Sequence, residues 1–203
     1  MVVEPVPART HYVYALYFLL PLGRVSDALE HSRLALESDP LSTLLHFGLA
    51  WCMYCAERYA ESIECARKAL EIDPKSYINQ LVKGLAQLGA GKREEAVASI
   101  QLVTELAPWW NEGTGFLAAA CHQADERERS ERIARELAGP RNHTIGAASY
   151  YAVVGEVDAM FQVLDGAYQQ RDVFLLYSQS LPFFDAYRDD TRFKALLAKM
   201  NLT

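Results

Sequence analysis

A chain of 203 residues is long enough to bury a sizeable core, as one long domain or two short ones. Half of the residues are hydrophobic, the formal net charge is -6 and the pI about 5.4, a balance that argues against binding a phosphate backbone. Ala, Leu, Glu, Arg and Lys outweigh alternating Val, Ile and Thr, which favours helices over strands.

Residues 1–8 carry Glu4-Pro5 and Pro7, where the tail of a preceding unit would lie, and no basic region followed by an apolar run, so no secretory signal is expected. The stretch from Tyr12 to Leu22 is apolar but rich in tyrosine, interrupted by Pro21 and too short to cross a bilayer. A first helical hairpin is predicted here, turning at Pro21-Leu22-Gly23-Arg24 and stopping at Pro40.

From that point the chain repeats. Pro40, Pro74 and Pro108 are 34 residues apart, and the same ruler aligns Ala28 with Ser62 and Ala96, Ala35 with Ala69 and Val103, and Ala50 with Gly84 and Ala118. The phrases Ala35-Leu36-Glu37-Ser38-Asp39-Pro40 and Ala69-Leu70-Glu71-Ile72-Asp73-Pro74 are near-copies. Small residues at fixed positions let two antiparallel helices cross closely, and the proline ends the second of them. The ruler sets units at 9–42, 43–76 and 77–110. Gly155 stands 64 residues after Gly91, four short of two periods, so a shortened unit is expected at 111–140, ending at Ala138-Gly139-Pro140. A degenerate fifth follows at 141–174, with Ala148 and Tyr151 in register. Residues 175–203 break the pattern; a last short helix should be capped by Asp190 and should bury Phe193, Leu196, Leu197 and Met200.

A 34-residue period with small crossing residues and a terminal proline resembles the tetratricopeptide repeat (TPR). The resemblance implies an all-α fold: a right-handed α-solenoid of helical hairpins over 1–174, closed by a C-terminal cap segment and helix over 175–203. The ending Arg188-Asp189-Asp190-Thr191-Arg192-Phe193, with Leu196-Leu197, is similar to the close of C-terminal TPR regions in multidomain bacterial signalling proteins, although Thr191 stands where proline is usual. That likeness implies a regulatory module. Solenoids need polar end caps, and the first hairpin has none before it. The chain is therefore expected to be a fragment of a larger one, or to have that face covered by a partner.

In TPR solenoids the first helix of each repeat lines the concave face. The family's ligand-facing positions fall here on Val13, Tyr14, Tyr17 and Leu20; on Phe47, Trp51 and Tyr54; on Leu81, Leu85 and Leu88; and on Phe116, Ala119, His122 and Gln123. The groove so expected is apolar and aromatic, with Tyr, Trp and Phe rings as anchors. TPR domains that clamp a chaperone's C-terminal carboxylate use Lys and Asn where this chain has Val13, Tyr17, Phe47, Trp51, Leu81 and Leu85. An apolar helix or extended segment is therefore the expected ligand, rather than an acidic tail. Two plainer readings stand beside this one: part of the set is core between repeats, and the C-terminal segment folds back to fill the groove itself.

The remaining signals are bland. Cys52 and Cys55 have the spacing of a redox or zinc pair but lie within one helix without a second pair, as buried thiols of a reducing compartment do. Cys121 and His122 are adjacent on a helix and point about 100° apart, which does not make a nucleophile and base. Trp109-Trp110 reads as packing between units, and Asn111 as an N-cap. The run from Asp125 to Arg132 alternates in sign, with Glu128–Arg132 and Glu131–Arg135 at i,i+4, as on a solvated face. No phosphate loop, metal-spaced set or nucleophile elbow occurs. The sequence thus points to a cytoplasmic protein-binding scaffold with no catalytic residue, metal or cofactor and no nucleic-acid or membrane partner. The alternative is self-association through the N-terminal face.

Overall fold

The computed structural model describes residues 6–137, 142 and 144–202. Five antiparallel hairpins follow one another along the chain. They are α1 (Ala8–Tyr14, running on into a π-helical turn over Ala15–Leu19) with α2 (Val25–Ser38), α3 (Thr43–Cys55) with α4 (Tyr59–Ile72), α5 (Tyr77–Gly89) with α6 (Arg93–Leu106), α7 (Asn111–Gln123) with α8 (Arg127–Glu136), and α9 (Ile145–Val154) with α10 (Val157–Gln170). From α1 to α8 each helix packs on the next, α9 packs on α7 and α10 on α9, giving a right-handed α-solenoid. The expected stop at Ala138-Gly139-Pro140 lies outside the described residues.

The prolines act as the sequence suggests. Asp39, Asp73 and Ala107, each directly before a proline, leave helical geometry at φ -145°, -131° and -135° and terminate α2, α4 and α6. Within each hairpin the turn is also the same. Residues Gly23, Glu57, Gly91, Asp125 and Gly155 all adopt positive φ, at spacings of 34, 34, 34 and 30. The N–H that follows each donates back five residues, as from Arg24 to Leu19 and from Lys92 to Gln87, both at 2.9 Å. These bonds satisfy carbonyls that the helix end would otherwise strand. The 30-residue step places the four-residue loss between the turns at Asp125 and Gly155, where α8 and α9 have ten residues each against thirteen or fourteen in α2 to α7.

Close crossing within hairpins depends on the small residues. A Cβ on Gly84 would meet Ile100 Cγ1 at 2.6 Å, and Ala50, Ala118, Ala28 and Ala96 are fully buried at equivalent positions. Where the ruler puts serine instead, the hydroxyl is satisfied across the crossing: Ser62 Oγ donates to the Ala50 carbonyl and Ser130 Oγ to the Ala118 carbonyl, both at 2.8 Å. The fourth hairpin departs from the others. Its second helix has only ten residues, and α7 packs more extensively on α9 than on its own partner α8. Gly115 and Gly146 bring those two backbones into direct contact, so that a Cβ on either would overlap main-chain atoms of the other helix.

After α10 the chain makes two 3₁₀ turns, Val173–Tyr177 and Pro182–Tyr187, and ends in α11 (Thr191–Lys199). Asp190 caps α11 by accepting from the Arg192 N–H at 2.8 Å, Phe193, Leu196 and Leu197 are buried, and Met200 is half-buried. Arg192 stacks over the Phe161 ring at 4.2 Å and pairs with Asp158 at 2.7 Å, which seats α11 on α10. Two local expectations are corrected. Asn111 is the first residue of α7 rather than its cap, its amide donating instead to Asn142 Oδ1 at 3.0 Å. In the charged run, Arg129 pairs with Glu126 and Arg127 with Asp125 in place of the i,i+4 pairs, because the positive-φ turn at Asp125 brings those carboxylates closer.

Candidate functional site

The concave face is not empty. Residues 173–187 run through it as a strap, so the second of the plainer readings is what the structure shows. Phe174 packs on Trp110 with ring centroids 5.6 Å apart, Tyr177 meets Trp51 edge-on at 5.6 Å, and Phe183 lies against Phe116 at 5.9 Å. The strap reaches the first hairpin, where Ser180 Oγ donates to the Leu20 carbonyl at 2.6 Å. In the orientation that satisfies it, the Gln179 amide nitrogen bridges the carbonyls of Pro21 and Leu202, 3.1 Å each. At its other end Tyr187 donates its hydroxyl proton to the Ala152 carbonyl at 2.9 Å. Leu181 and Phe184 have no exposed surface.

This arrangement divides the predicted groove. Trp51, Tyr54, Leu81, Leu85, Leu88 and Phe116 are each less than 7 % exposed, shielded by neighbouring repeats and by the strap, and Leu20 and Ala119 are likewise buried. Val13, Tyr14 and Tyr17 remain 45, 38 and 51 % exposed, and Phe47 is half-buried and lines a recess with Tyr17. His122 and Gln123 lie half-buried at the far end, where Gln123 joins Tyr54, Leu88 and Tyr187 around a shallow recess. What stays open is thus an aromatic patch on α1, which meets the α3 residues Leu44 and Phe47 at Tyr17. Phe18, absent from the predicted set, belongs to it: its ring stacks on Tyr14 at 5.2 Å and is 51 % exposed. Leu44 flanks Tyr17 across the rim.

Sequence reasoning missed one polar feature altogether. Glu112, in the first turn of α7, is 4 % exposed and accepts from the Gly146 N–H at 2.7 Å. Burial, followed by the neighbouring Asp172 carboxylate, pushes its pKa up to about 8, against the pull of Gly146 and of Thr144. Burial raises Asp172 as well, and Asp172 also accepts from the Phe174 N–H at 3.0 Å. Its second oxygen has no hydrogen-bond partner. The pair sits where the strap leaves α10 and meets the starts of α7 and α9. An acidic residue in a first helical turn normally reads as solvated, so nothing in the sequence marked Glu112 for burial.

A pH dependence follows. Unfolded, Glu112 releases its proton near the ordinary value of 4.5; folded, it keeps it to about 8. Between those values the native state binds the extra proton, so stability is lost as pH rises. We expect unfolding free energy to decline across that window by at most about 1.4 kcal/mol per pH unit from this residue. Glu112→Gln should lack the decline. Urea midpoints at pH 5 and pH 8 for both proteins are the measurement, and equal slopes would show that Glu112 does not hold the proton.

The four thiols are buried. Burial pushes Cys52 up to about 12 and Cys65 and Cys121 to about 11, and Cys55 is also raised well above its ordinary value. All four are free. Cys65 lies 3.6 Å from His46 Nδ1, a buried contact between α4 and α3. Among the described residues no group of His, Cys, Asp or Glu is placed to hold a metal ion, and no helix is long and apolar enough to cross a membrane.

A tetratricopeptide-repeat family model matches residues 43–76. No curated protein matches the chain. Solved structures do. The TPR protein TTC0263 of Thermus thermophilus superposes with a TM-score of 0.66 at 16% identity, covering 97% of this chain and 100% of that one. PilF of Pseudomonas aeruginosa gives 0.57 at 19% identity, covering 95% and 97%. The first TPR domain of Spaghetti (RPAP3), solved with an HSP90 peptide, gives 0.52 at 19% identity over 68% of this chain and 98% of that one. The periodic turns, the small-residue crossings and these matches agree: residues 43–76 are a tetratricopeptide repeat, and the chain as a whole has the tetratricopeptide-repeat solenoid fold.

Proposed function

We propose that the chain is a non-catalytic protein-interaction scaffold that takes an apolar peptide or protein segment at the open aromatic mouth formed by Val13, Tyr14, Tyr17, Phe18 and Phe47. The observation that carries this reading is four large apolar side chains side by side on α1 and its π-helical turn, each more than a third exposed, on a fold whose relatives include one solved with a bound peptide. Aromatic residues with a polar tip give large contact area at low entropic cost. The remaining predicted groove residues, Trp51, Tyr54, Leu81, Leu85, Leu88 and Phe116, act as the floor on which the strap lies, and His122 stands outside the mouth. The positions that would clamp a carboxylate stay apolar, which favours an apolar anchor over an acidic tail. We read 1–174 as the solenoid and 175–203 as its cap, and the four free, suppressed thiols support a reducing, cytoplasmic setting.

Selection from a random-peptide display library tests the reading. Enriched peptides should carry aromatic or aliphatic anchors, and their affinity should fall about tenfold or more on Tyr17→Ala and on Phe47→Ala, with helical circular dichroism intact. Peptides that bind wild type and Tyr17→Ala equally well would move the interaction off this mouth and end the proposal.

A further inference from the structure

The strap does not fill the groove completely. Between it and helices α1, α3, α5 and α7 remains a largely enclosed cavity of about 190 Å³. Protein interiors hold few voids larger than a water molecule. An engineered apolar cavity of about 150 Å³ takes up benzene, so this one has room for a compact guest of similar bulk. Its wall is chemically one-sided. Eight of its fourteen lining residues are aromatic, five are Leu or Ile, the last is Glu112, and no Lys, Arg or His is among them.

Each of these features favours positive charge. Aromatic rings present a negative face and attract a cation within about 6 Å of the centroid, most strongly where water is excluded. Tyr12, Tyr17 and Tyr177 add hydroxyl oxygens that can accept. Glu112 is an acid without a cation. Main-chain N–H groups of Gly146 and Phe174 donate to it and to its neighbour Asp172 respectively, and burial, followed by the Asp172 carboxylate, keeps the Glu112 proton in place. A cleft lined by one sign of charge with low-dielectric walls concentrates the opposite sign. A primary ammonium would bring N–H donors that each need an acceptor into a wall that is mostly hydrocarbon, whereas a quaternary ammonium has no N–H to strand. Access is at the rim, where Tyr17 and Leu44 line the cavity and are 51 and 43 % exposed.

We infer that this cavity binds a small quaternary ammonium ion, which packs its methyl groups against the aromatic walls and pairs with the Glu112 carboxylate. Glu112 gives up its proton to solvent as the cation enters, so one positive charge replaces another and the buried acid gains the partner it lacks. The strap contributes Phe174, Tyr177 and Leu181 to the wall, so the same guest holds the strap in place.

Isothermal titration of the full chain with three probes of one framework tests this: choline, its neutral isostere 3,3-dimethyl-1-butanol, and ethanolamine, which carries a primary ammonium. Choline should bind saturably at one site, about tenfold or more tightly than either of the others. Choline titrations at pH 7 in buffers of different ionisation enthalpy should show about one proton released per ion bound. Glu112→Gln should weaken choline about tenfold and abolish that release, and Ile78→Trp, which fills the cavity from a half-buried position on its wall, should abolish binding. Should Glu112→Gln fail to fold, Ile78→Trp and the proton release by wild type decide. No saturable choline binding, an equal or higher affinity for either other probe, no proton release by wild type, or choline binding undiminished in a folded variant would overturn the inference.

Discussion

Gly146→Ala is expected to destabilise the protein by about 3 kcal/mol or more, although alanine is the better helix former by about 1 kcal/mol. Gly146 lies in the first turn of α9, where a Cβ would run into the Glu112 carbonyl, and the reciprocal substitution at Gly115 would run into the backbone of Gly146 and Ala147. Backbone cannot rotate aside as a side chain can. The two helices must separate, and Glu112 then loses the Gly146 N–H. Gly113→Ala, two residues from Gly115, is the control. Its Cβ would approach only Val103 Cγ1, at 3.2 Å, and Thr104 Cγ2, at 3.6 Å, both movable side-chain atoms, and stability should change by less than about 1 kcal/mol. Urea midpoints at constant m-value separate the two outcomes. Equal midpoints for both variants would show that α7 and α9 do not meet through their main chains.

Phe184→Ala should cost about 3–5 kcal/mol, the range for emptying a fully buried aromatic site. Phe184 has no exposed surface and packs against Phe193 of α11 at 6.0 Å, so it fastens the strap and the last helix together. The expected signature is a lower midpoint accompanied by increased binding of an apolar dye, because a loosened strap uncovers Trp51, Leu81 and Phe116. A midpoint within about 1 kcal/mol of wild type would mean that the strap is held by its hydrogen bonds rather than by this ring.

The solenoid was legible in the sequence because its packing recurs: every hairpin must solve the same crossing and the same turn, so the constraint is written several times over. Pro40, Pro74 and Pro108 mark helix ends, and Gly23, Gly91 and Gly155 mark turns. Glu57 and Asp125, which share the left-handed conformation of those glycines, were invisible as turn residues because only the register reveals them. The strap occurs once. Its rings at Phe174, Tyr177 and Phe183 have no periodic counterpart, so composition showed a break at 175 without showing which face the segment would cover. Trp51 and Leu85 illustrate the result: by register they line the concave face, but burial depends on a segment far downstream in the chain. Glu112 was missed for a related reason, since its burial depends on the glycine contact between α7 and α9 and on Asp172.

An open solenoid unfolds piecemeal, its end repeats fraying first, because each repeat touches only its neighbours. The Ser180–Leu20 hydrogen bond joins residues 160 positions apart, and Tyr187 ties the same segment to the fifth hairpin. Fraying of either end therefore breaks contacts at the other, and the array should melt in one concerted step. The cost falls on kinetics: contacts so distant along the chain close late, and refolding should be slower than for an open array of five hairpins.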